Sequence, residues 1–373
     1  MALTIRKFCS LLLLIGAVFV TLLVTGPLRA QEDDQSKYDA FGKFLDTYRS
    51  ENNTPAMSAV IVKDQQIVWE GYFGTYDDEG DFPTLPETTY SIASVTKPIA
   101  ATAILAESLA GLVDLDTLMA ADADWAEFCA YFKTTPIPFM GGGEDRHGNV
   151  IAPVDCDKPT TLGQMLDMRA NGDAYVYNPI AFARIDRVIL GAGGRDLRAI
   201  VRDRVADPAG MRNVALGWRD PEAGDALRHI AEPHHVVEGR IVKQAFADDD
   251  FRAAAGIKAS PRAVAAFDIA YDRGLLFPPA MRKRILEDIE VGPLGDYRAG
   301  WFLEDWRGKR LMWHSGKDDT RYSALYLKVP EEQLTLIVLA NTESIWKDGA
   351  SVVKVDVAAN PIAARFLGDF ASE

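Results

Sequence analysis

Three serine residues are followed three positions later by a lysine, a spacing that can place a hydroxyl beside an amine. The pairs are Ser94/Lys97, Ser344/Lys347 and Ser351/Lys354. Residues three apart on a helix share one face. A lysine buried there has its pKa lowered by desolvation and becomes a usable base for the serine. The spacing therefore favours nucleophilic attack by a serine on a carbonyl carbon.

The pair Ser94/Lys97 differs from the other two in its surroundings. A short extended stretch precedes it and a long apolar helical pattern follows it. Pro98 fits the first turn of a helix, where a backbone N–H has no partner to lose. We therefore predict that Ser94 opens a buried helix whose N-terminal N–H groups and positive dipole end face a developing oxyanion. Ser344 and Ser351 lie in a polar segment, and we expect them at the surface.

The elements that must position this pair come from both ends of the chain. Hydrophobic periodicity predicts helices over 37–48, 94–111, 162–168, 182–190, 196–205, 261–271, 279–289 and 361–367. Strand patterns cover 57–63, 66–72, 298–303, 310–313, 322–328 and 333–340. An α+β fold follows, with a mostly antiparallel sheet built from both chain ends and helices inserted between them. We expect one bipartite domain over 31–373, with a sheet lobe at about 36–93 and 290–373 and a helical lobe at about 94–289.

Composition and charge exclude several classes of protein. The 373 residues are 48% hydrophobic and 25% charged, which rules out a disordered, collagen-like or low-complexity chain. The formal net charge is −14 at pH 7. Such a chain repels phosphate backbones and anionic lipid surfaces, so nucleic acid is not an expected partner.

The N-terminal residues indicate export. Arg6 and Lys7 precede an apolar run from Leu11 to Val24, and the small residue Ala30 stands before a polar segment. This order is typical of a secretory signal, and the apolar run is shorter than the roughly 20 residues that span a membrane. We predict a signal peptide over 1–30 and a periplasmic or secreted location, with an uncleaved anchor as the alternative.

Two cysteines, Cys129 and Cys156, remain once the predicted signal is removed. An even pair in an exported protein suggests a disulfide, which would stabilise the fold by roughly 3–4 kcal/mol. Two unrelated buried thiols are the alternative. Neither cysteine has a neighbour at metal-ligand spacing, so zinc is not expected.

Several common catalytic motifs are missing from the sequence. There is no Gly-x-Ser-x-Gly, no His-Glu-x-x-His and no Gly-x-x-x-x-Gly-Lys, so an α/β-hydrolase elbow, a zinc protease helix and a phosphate-cradling loop are not predicted. The glycines at 191, 193 and 194 follow a helical pattern and are interpreted as a turn.

The segment around the first pair, Tyr90-Ser91-Ile92-Ala93-Ser94-Val95-Thr96-Lys97, resembles the active-site segment of the serine β-lactamase and DD-peptidase superfamily. It is most similar to the class C-related branch, which includes esterases and D-aminopeptidases. Further stretches resemble that branch in the expected order: 59–64, 253–260, 300–302, 314–316 and 337–341. The resemblance covers roughly 55–345 and implies a β-lactamase/transpeptidase-like fold.

The second element of the resemblance is a Tyr-x-Asn motif whose phenol lies beside the serine and lysine. The matching segment here is Tyr177-Asn178-Pro179, which implies that Tyr177 is the catalytic phenol, with Tyr175 as the competing assignment. Pro179 stands where the family has asparagine. The change casts doubt on lactam recognition more than on the nucleophile.

The third element is a strand that carries Lys-Thr-Gly in lactamases and His314-Ser315-Gly316 here. The resemblance implies that Gly316 lets substrate lie close to the strand and that the N–H groups of Ser94 and Lys317 form an oxyanion hole. His314 would face a substrate carboxylate, although histidine is neutral or only partly charged near pH 7.

These residues imply a serine hydrolase that forms an acyl-enzyme on Ser94, with Lys97 and Tyr177 sharing the proton transfers. The expected partner is a small-molecule ester, amide or peptide substrate, and no metal or organic cofactor is required. Esterase or peptidase activity is favoured over efficient β-lactamase activity because of His314 and Pro179. The alternative is a non-catalytic binding protein that retains the scaffold.

Overall fold

The computed structural model describes residues 25–134, 143–144, 150–151, 158–169, 175–248, 250–286, 288–292, 295–347 and 356–372. Its helices are α1 (Thr25–Glu51), α2 (Thr96–Leu109), α3 (Trp125–Thr134), α4 (Leu162–Leu166), α5 (Pro179–Phe182), α6 (Ile185–Gly191), α7 (Leu197–Val201), α8 (Pro261–Asp272), α9 (Pro279–Leu286) and α10 (Pro361–Phe370). Its strands are β1 (Ala56–Lys63), β2 (Gln66–Gly74), β3 (Tyr90–Ser91), β4 (Gly143–Glu144), β5 (Val150–Ile151), β6 (Val214–Leu216), β7 (His234–Val237), β8 (Arg240–Lys243), β9 (Ile257–Ala259), β10 (Asp296–Arg298), β11 (Trp301–Trp306), β12 (Lys309–Asp318), β13 (Tyr322–Val329) and β14 (Leu334–Ala340).

The chain divides into two compact units, Met1–Leu45 and Asp46–Glu373. The described part of the first unit is residues 25–45, which lie in α1. The second unit holds all of the sheets that the structure describes. The predicted boundary at residue 31 and the division into a sheet lobe and a helical lobe stay predictions.

A seven-stranded sheet, in the order β10-β11-β12-β13-β14-β1-β2, organises the second unit. Its pairings are antiparallel throughout. Strand β1 from the N-terminal side pairs with β14 from the C-terminal side, with Val60 opposite Ile337. The predicted α+β class, with an antiparallel sheet built from both chain ends, is therefore confirmed.

The middle of this sheet is buried on both faces. All residues of β13 and β14 are buried, as are all residues of β1 except Lys63. Such continuous apolar strands need a covering layer on each side. Helix α8 packs on β1 and β14 on one side. The turn that contains residues 93–95 packs against β12 and β13, so the sheet directly supports the segment that holds Ser94.

A three-stranded sheet, in the order β3-β9-β6, leads into that turn. Tyr90 pairs with Ala259 and Ser91 with Lys258. The phenol of Tyr90 shares a 2.8 Å hydrogen bond with the Ser58 hydroxyl of β1, and this bond ties the small sheet to the large one. The sequence did not predict β6 or β9, because strands of three residues are too short to show a period of two.

Several sequence predictions need correction. The strand predicted over 298–303 is interrupted by a turn at Ala299 and Gly300, between β10 and β11. Ser94 does not open α2, because α2 begins at Thr96 and a separate one-turn 3-10 helix, Ala93–Val95, precedes it. Strand β12 does not end at residue 313 but continues to Asp318. Ser344 is buried rather than exposed. The phenol of Tyr48 donates to the Ser344 carbonyl oxygen at 2.9 Å, so this segment packs beneath a helix end.

Candidate active site

Ser94 lies in a strained turn. Ala93 has φ +46°, in the left-handed region that a residue with a β-carbon occupies at an energetic cost. The turn is held because the Ile92 N–H donates to the Ile257 carbonyl oxygen at 3.1 Å and the Ile257 N–H donates to the Thr96 hydroxyl at 3.3 Å. Ser94 is half-buried, whereas residues 90–93 and 95–100 are buried. The turn therefore presents a single hydroxyl at the edge of a packed interior.

Lys97 lies directly behind Ser94. Its side chain is fully buried, and its Nζ lies 2.8 Å from Ser94 Oγ and donates to the Ala254 carbonyl oxygen at 2.8 Å. Burial lowers the pKa of Lys97 well below the ordinary 10.5. A neutral amine in this place keeps a lone pair that can accept the Ser94 proton. The sequence prediction that the two residues meet agrees with this geometry.

Tyr177 comes alongside this pair from a distant part of the chain. Its ring centroid lies 5.2 Å from Lys97 Nζ, and the side chain is only 8% exposed. Burial raises the pKa of Tyr177, and a hydrogen bond with the Ser94 side chain acts in the opposite direction. The phenol therefore keeps its proton at neutral pH and is a proton donor beside the hydroxyl. The ring stacks on Phe302, with centroids 5.4 Å apart.

The competing tyrosine and the atypical proline also have defined places. The ring of Tyr175 lies beside Tyr297, with centroids 6.1 Å apart, whereas Tyr177 contacts Lys97 and has a hydrogen bond with the Ser94 side chain. Asn178 caps α5 by accepting a hydrogen bond from the Ala181 N–H at 2.9 Å. Pro179 is the first residue of that helix, where proline is tolerated. Its presence is thus explained by local helix geometry.

His314 occupies a different environment from the one expected for a substrate contact. Its side chain is fully buried. Its Nδ1 lies 2.6 Å from the Ser315 carbonyl oxygen, and its Nε2 lies 3.0 Å from the Tyr297 phenol oxygen. Burial, and secondly repulsion by the protonated form of Lys97, hold the pKa of His314 well below its ordinary value. In this structure His314 is a neutral interior group, so a direct contact between His314 and a substrate carboxylate is not supported.

Gly316 allows β12 to lie close to another backbone segment of the protein. A β-carbon at this position would lie 2.4 Å from the Ile92 carbonyl oxygen, so only glycine lets β12 pack against the turn that carries Ser94. The expected reason for this glycine was close approach of substrate. The next residue, Lys317, is exposed and lies opposite Ser323 in β13. Whether the Lys317 N–H forms an oxyanion hole with that of Ser94 stays a prediction.

Gly300 packs closely against the backbone of Lys97. It has φ +84°, and a β-carbon there would lie 2.6 Å from the Lys97 carbonyl oxygen. Its N–H donates to the Leu166 carbonyl oxygen at 3.2 Å. The turn between β10 and β11 therefore rests on the backbone of the candidate base.

Four charged residues hold the segment before Tyr177 against β10, and sequence reasoning missed them. Asp167 accepts from the Arg298 guanidinium at 3.1 Å and from the Ala299 N–H at 2.8 Å. Arg169 donates to Asp296 at 2.5 Å. In the sequence these residues are separated by more than a hundred positions and look like ordinary surface charges, so no local signal pairs them.

The remaining site predictions fall partly on residues that the structure does not describe. Cys129 is buried, but Cys156 lies outside the described residues, so the disulfide stays a prediction. Residues 1–24 of the predicted signal also lie outside them. In the described ranges, no helix is both long and apolar enough to cross a membrane. Those ranges also hold no group of three or more His, Cys, Asp or Glu residues arranged to bind a metal.

Comparison with known proteins shows what this arrangement resembles. The family model described as beta-lactamase matches residues 39–353. The fold is similar to EstCE1, a hydrolase with promiscuous acyltransferase activity, at 14% identity and TM-score 0.63 over 88% of this chain and 98% of that one. No curated protein sequence gives a significant match.

Two further solved structures share the fold. The D-amino acid amidase from Ochrobactrum anthropi SV3, complexed with D-phenylalanine, is 16% identical, with TM-score 0.62 over 90% of this chain and 98% of that one. A class C β-lactamase is 14% identical, with TM-score 0.63 over 91% of this chain and 98% of that one. The expected β-lactamase/transpeptidase-like fold is thereby confirmed.

Proposed function

This chain belongs to the beta-lactamase family, and on that premise we propose that it is a serine hydrolase that forms an acyl-enzyme on Ser94. The observation that carries the proposal is the 2.8 Å approach of a buried lysine amine to the Ser94 hydroxyl, with the Tyr177 phenol beside both. Its substrates are esters, small amides or peptides.

In the proposed acylation, Ser94 Oγ attacks the substrate carbonyl carbon while Lys97 takes the hydroxyl proton. The N–H groups of Ser94 and Lys317 stabilise the oxyanion of the tetrahedral intermediate. Collapse of the intermediate breaks the bond to the leaving group, which takes the proton of the Tyr177 phenol. The Lys97 ammonium then returns a proton to Tyr177, so that both groups regain their starting states.

Deacylation repeats these steps with water as the nucleophile. Water attacks the ester carbonyl of the acyl-enzyme and gives a proton to the neutral Lys97 amine. The Tyr177 phenol gives its proton to Ser94 as the acid leaves, and the Lys97 ammonium then reprotonates Tyr177. Every step uses groups of this chain and water.

A desolvated lysine argues for catalysis over a purely binding role. Burying an amine away from water costs stability, and the strained turn at Ala93 adds to that cost. A non-catalytic scaffold has no use for either feature, whereas an activated serine requires both a base and a fixed geometry. The binding protein remains the alternative that the following experiment tests.

The experiment is incubation with a chromogenic short-chain ester, a chromogenic cephalosporin and a D-amino-acid amide. The proposal predicts turnover of the ester or the amide that is lost in Ser94→Ala. Turnover of none of the three, with no acyl adduct on the protein, would favour the binding protein.

Export is a second part of the proposal and rests on the sequence of residues 1–30. The basic start at Arg6 and Lys7 and the apolar run that follows are the features that support it. A periplasmic or secreted location would place the enzyme with extracytoplasmic esters, amides or peptides.

A glycine substitution tests whether the turn between β10 and β11 positions the base. Gly300→Ala should lower kcat for the accepted substrate by about 10- to 100-fold, because the new β-carbon displaces the Lys97 backbone. The measurement is kcat together with the melting temperature.

Gly308→Ala is the matched control. Gly308 has φ +78°, close to the +84° of Gly300, but a β-carbon there meets nothing within 4 Å. Both variants should lose about 1–2 kcal/mol from the left-handed backbone, and only Gly300→Ala should lose turnover. Equal kcat in the two variants would show that the contact with Lys97 does not matter.

A further inference from the structure

Met168 is a buried residue that the proposed mechanism does not use, and it forms hydrogen bonds with the residues on both sides of Tyr177. The Val176 N–H donates to the Met168 carbonyl oxygen at 2.9 Å. The Asn178 N–H donates to the Met168 sulfur at 3.3 Å, and a thioether sulfur is a weak acceptor. Met168 itself is only 1% exposed. The backbone on either side of Tyr177 is therefore held by one interior residue.

The backbone of Met168 is strained. Its φ is +54°, in the left-handed region that a residue with a β-carbon occupies at an energetic cost. Such a conformation persists only where the surrounding contacts impose it, and strain of this kind clusters at functional sites. In this conformation the carbonyl oxygen and the sulfur of one residue reach two N–H groups that lie two positions apart in the chain.

The residues before Met168 are fixed to the turn between β10 and β11. The Leu166 carbonyl oxygen accepts from the Gly300 N–H at 3.2 Å. The Asp167 carboxylate accepts from the Ala299 N–H at 2.8 Å. The two salt bridges described above join the same two segments. The turn therefore imposes the backbone conformation from which Met168 reaches the residues beside Tyr177.

The same turn lies against the candidate base. A β-carbon at Gly300 would lie 2.6 Å from the Lys97 carbonyl oxygen. Phe302, two residues beyond Gly300, stacks on the Tyr177 ring with centroids 5.4 Å apart. The amine of Lys97 lies 5.2 Å from the centroid of that ring. One structural element thus fixes both the amine and the phenol, and Met168 supplies its contact with the backbone around the phenol.

We propose that Met168 is a positioning residue that holds the Tyr177 phenol where it can give its proton to the leaving group. The inference rests on the proposed function, in which Tyr177 is the proton donor, and it adds a role for a side chain outside that mechanism. A displacement of about 1 Å at a reacting group can cost about a hundredfold in rate. Loss of the sulfur acceptor should therefore slow the step that needs the phenol proton more than the other steps.

The test compares two esters of one acid, 4-nitrophenyl butyrate and ethyl butyrate. The 4-nitrophenolate leaves as a stable anion, whereas ethoxide must receive a proton as it leaves. Met168→Leu removes the acceptor and nearly conserves the side-chain volume. We expect this variant to lower kcat/KM by at least about tenfold for ethyl butyrate and by less than about threefold for 4-nitrophenyl butyrate. Background hydrolysis is subtracted with Ser94→Ala.

Met165→Leu is the matched control. Met165 lies in α4, three residues before Met168, and is fully buried, but no N–H donates to its sulfur within the described part of the chain. This variant should leave the ratio of kcat/KM for the two esters unchanged. An equal change of that ratio in the two leucine variants would show a general effect of packing and would overturn the proposal.

A double variant shows whether Met168 acts through the phenol. Tyr177→Phe alone should lower kcat/KM for ethyl butyrate by at least about a hundredfold, the usual effect of removing a positioned proton donor. Adding Met168→Leu to Tyr177→Phe should cause less than about a twofold further loss, because residues that act through one group are not additive. A further loss as large as in the wild-type background would mean that Met168 acts on another part of the site.

Asp167→Asn gives an independent measurement and decides the proposal if Met168→Leu does not fold. It removes the ion pair with Arg298, which holds the backbone before Met168, and leaves Met168 itself unchanged. The ratio of kcat/KM should shift in the same direction as in Met168→Leu. An unchanged ratio would contradict the proposal.

Failure of this inference can be distinguished from failure of the proposed function. If Tyr177→Phe loses turnover of ethyl butyrate while Met168→Leu behaves like Met165→Leu, the role of Met168 is wrong and the acyl-enzyme mechanism stands. If the wild type hydrolyses neither ester and forms no adduct on Ser94, the proposed function fails, and the inference fails with it.

Discussion

Replacing Lys97 by methionine should lower kcat/KM by about 10²- to 10⁴-fold, the usual contribution of a positioned general base. Methionine has a similar length and fills the buried space, but it has no lone pair on nitrogen to take the Ser94 proton. The loss should appear mainly in kcat, and the measurement is steady-state hydrolysis of the substrate that the wild type accepts.

Lys347→Met is the matched control for this variant. Lys347 follows Ser344 with the same three-residue spacing, but it is exposed. Its removal should change kcat/KM by less than about twofold, because exposed substitutions away from a site have small effects. Comparable losses in the two variants would show that position 97 holds no special base.

Lys97→Met also tests whether the pKa of Lys97 is low in the folded protein. Its pKa is depressed in the folded state, so above that value the unfolded chain binds one more proton than the folded protein. Stability therefore rises with pH until the lysine of the unfolded chain loses its proton near about pH 10.4. The free energy of unfolding of the wild type relative to Lys97→Met should rise with pH by up to about 1.4 kcal/mol per unit. A difference that does not change with pH would contradict the buried neutral amine.

Replacing Lys328 by methionine should destabilise the fold by about 3–5 kcal/mol, the cost of leaving a buried partner charge uncompensated. Lys328 of β13 pairs with Asp268 of α8, and both side chains are 0–1% exposed. It also contacts Asp272 at 3.0 Å, while the Tyr326 phenol donates to Asp268 at 2.6 Å. The measurement is urea unfolding.

Two further variants make this result specific. Lys328→Met combined with Asp268→Asn should recover part of the lost stability, because the second change removes the stranded charge. Arg228→Ala breaks the exposed pair with Asp225, whose side chains are 81% and 62% exposed, and should cost less than about 1 kcal/mol. A loss of that small size in Lys328→Met would mean that water reaches the pair.

The parts of the fold that could be predicted are those with long apolar runs or a tight turn. The hairpin predicted over 57–63 and 66–72 is β1 and β2 with small extensions. Asp64 and Gln65 between them have φ of +49° and +62°, which suits a two-residue hairpin loop. The apolar run of residues 334–340 likewise became β14.

The parts that were missed depend on contacts far along the chain. The residues Ser315, Gly316 and Lys317 do not favour a strand, yet β12 continues through them because β13 pairs with them. Ala93 carries no sign that it adopts a positive φ, since an alanine avoids that region without support from elsewhere. Contacts with residues that are distant in the sequence determine both features.

The site shows the same division between local and distant signals. Ser94 and Lys97 are only three positions apart, so their meeting could be predicted from the sequence, although they lie in a 3-10 turn and in α2 rather than on one helix. Tyr177 was found only through the resemblance, because nothing local connects it to residue 94. Tyr297 looks like a core aromatic residue in the sequence, and its hydrogen bond to His314 became visible only in the structure.

The central claim is that the hydroxyl of residue 94 forms the covalent intermediate. Its most direct test is intact-mass and peptide-mapping mass spectrometry after incubation with a slowly released acylating probe. The account predicts one adduct per chain, on the peptide that contains Ser94, and none in Ser94→Ala. An adduct of full stoichiometry in Ser94→Ala, or on another residue of the wild type, would place the nucleophile elsewhere and contradict the account.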